Sequence, residues 1–157
     1  MNLYQAEILA KKLMREHRLT LWLFEFTDWV KTFGMCQYST RTIFLSMPLT
    51  LLNNENEVRD TILHEIAHAL VGKGHGHNKT WKAKCIEIGA KPIRCYSNDM
   101  IIQPTMRYVA TCDCCGKVYQ RTRKPDSITA YACKCQKGPW NKRVKLIYEN
   151  RFALNQK

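Results

Sequence analysis

His64-Glu65-Ile66-Ala67-His68-Ala69-Leu70, followed after a glycine-rich break by His75-Gly76-His77-Asn78-Lys79-Thr80-Trp81, is the stretch on which the reading of this chain turns. At about 100° per residue, positions i and i+4 of a helix share a face, so His64 and His68 can reach one metal ion. The flanks support a helix. Asn53 and Asn54 are good N-caps, and Glu55 and Glu57 suit a first turn. The helix is expected to run to about Val71, where Gly72, Gly74 and Gly76 break it. Val58, Ile62, Ile66 and Ala69 form an apolar stripe on roughly the opposite side, which would pack into the core and leave the histidines facing a cleft. Glu65 sits beside the histidine face but is turned from it, so it can reach an attacking water without being a ligand. Zinc with three protein ligands keeps one position open for that water and lowers its pKa to about 7. Glu65 would then act as the catalytic general base and pass the proton to the leaving amine. A solvated helix face could carry the same five residues. The cap, the opposed stripe and the histidines downstream argue for a metal instead.

The third ligand should come from the loop, where two candidates stand. His77 lies just before a helix start, with Asn78 as the N-cap, and is the better held. His75 lies between two glycines. The second helix should run through Ile88, with Trp81, Cys85 and Ile88 as its apolar stripe, and stop at Gly89 and Pro92.

Upstream, Leu3, Ala6, Leu9, Ala10, Leu13 and His17 recur at helical spacing and predict a helix over residues 2–17. Leu19 to Phe26 reads as a buried strand. Thr32 to Tyr38 and Arg41 to Ser46 read as two short strands joined by a tight turn at Ser39 and Thr40, with Pro48 ending the segment. Residues 90–106 look like the join between two modules. Beyond them, Tyr108 to Arg121 and Ile128 to Cys135 read as two hairpin-like halves, and Val144 to Tyr148 as a closing strand. The expected division is therefore 1–106 and 107–157.

Of eight cysteines, five crowd into the last third. The start of the chain reads as an amphipathic helix, not an export signal, so clustered thiols point to metal before disulfides. Cys112 and Cys115 form a C-x-x-C followed by Gly116, as in a zinc knuckle. Cys133 and Cys135 are one residue apart, which makes the second half irregular, and Cys114 could replace a neighbour. The expected ligands of a structural zinc are Cys112, Cys115, Cys133 and Cys135. Cys36, Cys85 and Cys95 read as small core residues.

The net charge is +12. Residues 107–157 hold twelve Lys and Arg against three acids, a net +9, which favours phosphate-bearing partners. Arg121, Arg123 and Lys124, then Lys142, Arg143 and Lys145, interleave with Tyr119, Tyr131 and Trp140. Cations with aromatics suit single-stranded nucleic acid. Trp140, in a Gly-Pro turn, is the best stacking candidate, whereas Tyr119 and Tyr131 could equally fill the core. No run approaches the roughly 18 uncharged apolar residues of a membrane span. The expectation is a monomer without a membrane partner, located in the cytoplasm, at the nucleoid, or in a eukaryotic nucleus.

Three stretches make the chain resemble the SprT-like metalloprotease family, which includes Spartan. These are His64 to Leu70, His77 with an aromatic four residues on at Trp81, and the strand pair Phe33-Gly34-Met35-Cys36 with Ile43-Phe44-Leu45-Ser46. The cysteine module is similar to the zinc ribbon of many bacterial and phage members. The resemblance implies an α+β, zincin-like minimal metalloprotease domain, with helices on a small β-sheet, followed by a small β zinc ribbon. It also implies catalytic zinc at His64, His68 and His77, Glu65 as base, and DNA-dependent cleavage of proteins, notably those crosslinked to DNA. Spartan-like members carry the ligand in Gly-His-Gly, which Gly74-His75-Gly76 imitates; that register would make His75 the ligand. Two other readings compete: a DNA-binding zinc-ribbon protein whose HExxH site is structural or inactive, and a zinc hydrolase of small amides.

Overall fold

A computed structural model describes residues 1–94, 101–104, 108–121, 123, 132–135 and 146–150. The chain divides into two compact units, Met1–Pro104 and Thr105–Lys157. The architecture is α+β, as expected.

In the first unit, helix α1 (Leu3–Glu16) starts where the Asn2 side chain accepts the Gln5 amide at 2.8 Å, and it buries Ala6, Ala10, Leu13 and Met14. Arg18 then takes a left-handed φ of 59°. Residues 19–22 turn, with the Trp22 amide bonded to the Leu19 carbonyl, before strand β1 (Leu23–Thr27) begins. The sequence predicted a buried strand from Leu19. The turn delays the start by four residues, and β1 is half-exposed because it lies at a sheet edge. Its partner is β3 (Thr42–Ser46), parallel, and β3 pairs antiparallel with β2 (Gly34–Gln37) in the order β1-β3-β2. The central strand is the buried one: Ile43 and Leu45 are fully covered. A turn over Tyr38–Arg41 joins β2 to β3 and holds Ser39 and Thr40 at its centre.

Pro48 does not end this segment. It falls in the first turn of a short helix, α2 (Met47–Leu52), where its missing N–H costs nothing, and Ser46 Oγ caps the Leu49 amide. Of the two candidate caps for the next helix, Asn54 serves α3 (Glu55–Val71) by accepting the Glu57 amide at 3.0 Å. Asn53 instead bonds to Leu49 and to both backbone groups of Ile102. α3 is more buried than its stripe suggested. Val58, Ile62, Leu63, Ile66 and Ala67 are covered, and so are Thr61, His64 and Glu65; Ala69 is only partly so. Helix α4 (Lys79–Ile88) is capped by Asn78 and closed by a left-handed Gly89. α3 therefore runs through the middle of the unit, in contact with α1, α4, β2 and β3.

In the second unit, β4 (Tyr108–Thr111) pairs with β5 (Val118–Arg121) and with β6 (Glu149–Asn150), both antiparallel. Of the predicted closing strand 144–148, residues 144 and 145 lie outside the described residues and 146–148 are not in a strand; the pairing falls at Glu149–Asn150. Leu146 and Tyr148 are buried in the small core with Ala110, Cys112 and Cys133. Of the predicted second hairpin half, 128–131 lie outside the described residues.

Candidate active site

Between α3 and α4, Gly72, Gly74 and Gly76 take φ angles of 83°, 102° and 46°. Those angles strain any residue with a Cβ. They let the chain double back, so that His77 meets the face of α3 bearing His64 and His68. Nε2 of His77 is 3.2 Å from Nε2 of His64 and 3.2 Å from Nε2 of His68. Three imidazoles each present a nitrogen to one region, all within 4.8 Å of one another. His75 is not among them; its Nδ1 faces Asn78 Nδ2 at 3.4 Å on the exposed loop.

Packing holds these rings. Trp81, fully buried in the first turn of α4, has its ring centroid 4.6 Å from those of His64 and His77 and 5.1 Å from that of His68. The Tyr38 hydroxyl donates to the His68 carbonyl at 3.2 Å. Burial, then the neighbouring rings, pushes His64 down to about 3. Burial and His77 push His68 to about 4. His77 is also lowered, by burial and then by the Arg94 guanidinium. All three rings are thus neutral near pH 7, the form that donates a lone pair to a metal.

Glu65 is 6% exposed and lines the same cleft, but its oxygens are outside the converging set. Burial pushes its carboxyl up to about 8, against a hydrogen bond from the Cys36 amide that favours the charged form. Gly34 packs against it: a Cβ there would stand 2.8 Å from Glu65 Cγ and 2.9 Å from Oε1. The cleft, about 790 Å³, is bordered by Gly34, Met35, Cys36 and Tyr38 as well as by the histidines.

Residues 6–102, more than half of the chain, match the model of the SprT-like family. The chain is also similar to Protein SprT of Proteus mirabilis (strain HI4320), 28% identical over 116 residues that cover 66% of this chain and 67% of that one. The chain belongs to the SprT-like family. Membership makes residues 6–102 a minimal metalloprotease-like domain.

The donor set of this SprT-like domain fits a zinc ion. Tetrahedral zinc with bonds of about 2.0 Å to histidine nitrogen sets its ligands about 3.3 Å apart. The two measured nitrogen separations, 3.2 Å each, have that spacing.

A second group of donors lies in the other unit. Cys112 Sγ is 3.7 Å from Cys135 Sγ, and Cys115 Sγ is 3.5 Å from Cys133 Sγ. Four thiolates at about 2.3 Å from a tetrahedral zinc would be about 3.8 Å apart. The Tyr119 hydroxyl, 3.1 Å from Cys133 Sγ, favours its thiolate and lowers that thiol to about 6. Gly116, at φ 69°, makes the turn after Cys115. Cys114 is exposed and outside the group of four, and Cys36 and Cys85 lie in the first unit.

Among the residues expected to meet nucleic acid, Arg121 donates from Nε to the Tyr148 hydroxyl at 3.1 Å, its guanidinium 5.5 Å from that ring's centroid. Arg123 is exposed. Lys124, Trp140, Lys142, Arg143 and Lys145 lie outside the described residues, as do Cys95 and Tyr131. No helix among the described residues is long and apolar enough to cross a membrane.

Gly34, Tyr38 and Arg94 were not singled out as site residues from the sequence. Each borders the cleft through contacts that span many residues, and no local spacing announces them.

Proposed function

We propose that this chain is a zinc-dependent endopeptidase that acts on proteins bound or crosslinked to DNA. The observation that carries the reading is the convergence of three imidazoles beside a buried carboxyl that is not one of the converging donors. A structural metal site has no use for that carboxyl, whereas hydrolysis does. Zinc held by the three Nε2 atoms would supply Lewis acidity to the scissile carbonyl and to the attacking water. Glu65 takes that water's proton and delivers it to the leaving amine, and its raised pKa suits a group that must both accept and release a proton near neutrality. The Cys36 amide and the close approach of Gly34 fix the direction of the carboxyl. Among the described residues β2 has a strand partner on one side only, and residues 34–36 border the cleft, so an extended peptide laid along that strand would continue the sheet across the histidines. The DNA part of the reading rests on the net +9 of residues 107–157, and the four cysteines would hold a second, structural zinc.

The test is cleavage of a DNA-binding protein, free and crosslinked to a single-stranded oligonucleotide, by the full zinc-loaded chain. Glu65→Gln should keep the metal content of the parent and lose cleavage by two or more orders of magnitude. Equal activity in parent and variant would remove Glu65 from the mechanism.

A further inference from the structure

Among the described residues, the positive charge beside the cleft outnumbers the negative. Lys31, in the segment leading into β2, and Arg94, in the segment after α4, both line the cleft of the three histidines. A second hollow of about 710 Å³ is lined by Gly76, His77, Lys82, Pro92, Ile93 and Arg94. The two spaces share Gly76, His77 and Arg94. Among the described residues the ion pairs are Lys11–Glu7, Lys12–Glu16, Lys84–Glu87 and Lys91–Glu57. Lys31, Lys82 and Arg94 take part in none of them. Among the described residues, Glu65 is the one carboxylate lining either space, and it is buried.

Three cations with no ion-pair partner among the described residues, beside a site that would itself hold a divalent ion, make this a positive surface. A ligand bearing negative charge is what it can best accept. We infer that the hollow between α4 and Arg94 is a subsite for an acidic side chain of the protein substrate, with Arg94 as the residue that selects it. The inference rests on the protease reading and adds the substrate class to it. The guanidinium offers a planar fork that matches a carboxylate with two parallel hydrogen bonds, and Lys82, which also lines the hollow, supplies a second charge. Because His77 lines both spaces, the selected Asp or Glu would lie close in sequence to the bond that is cut. A nucleic-acid phosphate carries the same sign of charge. Lys31 and Arg94, however, line the peptide cleft itself, and Lys82 the hollow beside it, while the excess charge assigned to DNA lies beyond residue 106.

The experiment uses the full zinc-loaded chain carrying Glu65→Gln, so that peptides bind without being cut. Fluorescein-labelled peptides, identical except for Glu, Gln or Lys beside the scissile position, are titrated by anisotropy. The Glu peptide should bind about fivefold tighter than the Gln peptide and tighter still than the Lys peptide, with the gap narrowing as salt rises. Adding Arg94→Gln should bring the Glu-to-Gln ratio towards one, and Arg94→Glu should invert the order. A ratio near one in the parent background, or a preference untouched by Arg94→Gln, would overturn the inference. So would a flat peptide series accompanied by oligothymidine binding that Arg94→Gln weakens, because the cations would then serve phosphate. Cleavage of the unlabelled peptides by the parent chain is read separately: uniform cutting of all three peptides sinks the subsite alone, and absence of cutting with charge-selective binding sinks the protease reading alone.

Discussion

Replacing Gly34 with alanine adds one methyl group where β2 meets the carboxyl of Glu65. The backbone does not object: Gly34 lies in a strand, outside the positive-φ region, and alanine there would even reduce the entropy lost on folding. The cost is steric. The new Cβ would be 2.8 Å from Glu65 Cγ, 2.9 Å from Oε1 and 3.0 Å from Thr61 Cγ2, whereas ordinary contacts begin at 3.4 Å. Relief needs a displacement of roughly 0.5 Å, and Glu65 is buried on a helix that is covered on both sides, so it cannot swing into solvent. Overpacking of this kind costs about 1–3 kcal/mol. For a unit of this size each kcal/mol lowers Tm by about 4–8 °C. A misplacement approaching 1 Å can cost on the order of 100-fold in rate, so kcat/KM should fall by about 10- to 100-fold. The atoms nearest the new Cβ belong to Glu65 and Thr61, not to the histidines, so zinc content should be unchanged. The assays are thermal unfolding, metal analysis and peptide cleavage on one preparation. Unchanged Tm with full activity would show that Gly34 and Glu65 are not in contact, and the placement of the base would be wrong.

Two further outcomes follow from the same geometry. Cys133→Ser should cost the chain one zinc and destabilise the second unit, while Cys114→Ser should keep both metals; loss of metal from the Cys114 variant would mean a different set of four. The metal-free chain should also show a pH-dependent penalty from Glu65. Its folded pKa, about 8, is raised above the ordinary 4.5, so folding favours its protonated form. The stability contributed by that proton is complete below about pH 4.5 and is lost as pH rises towards 8, at up to about 1.4 kcal/mol per pH unit. Glu65→Gln removes this slope, so in urea melts of chelator-treated protein its advantage over the parent should grow between pH 5 and pH 7.5. A constant difference across that range would mean that the carboxyl is not buried.

What could be read in the sequence was what neighbouring residues encode. Asn54, Gly72, Asn78 and Gly89 mark the ends of α3 and α4 within a residue or two, because caps and left-handed stops act locally. His64 and His68 declare a shared face by their spacing alone. The errors have equally local causes. Pro48 was read as a stop, although Ser46 two residues earlier was a cap for the helix that follows. The apolar run from Leu19 concealed a left-handed Arg18 and the turn after it, since composition says nothing of φ. The rest of the site depends on distance along the chain. Gly34 touches Glu65 across 31 positions, Tyr38 reaches His68 across 30, and Arg94 closes a hollow with His77 from beyond α4. No periodicity encodes such contacts; they exist only once β2 is laid along α3. The choice between His75 and His77 has the same character, because it depends on how three glycines turn the loop.

Zinc content per chain, measured on the purified parent, on His77→Ala and on His75→Ala, addresses the imidazole site most directly. Two zinc ions in the parent, one in His77→Ala and two in His75→Ala are the predicted result. A parent with a single zinc that survives His77→Ala, and disappears with Cys133→Ser, would contradict it.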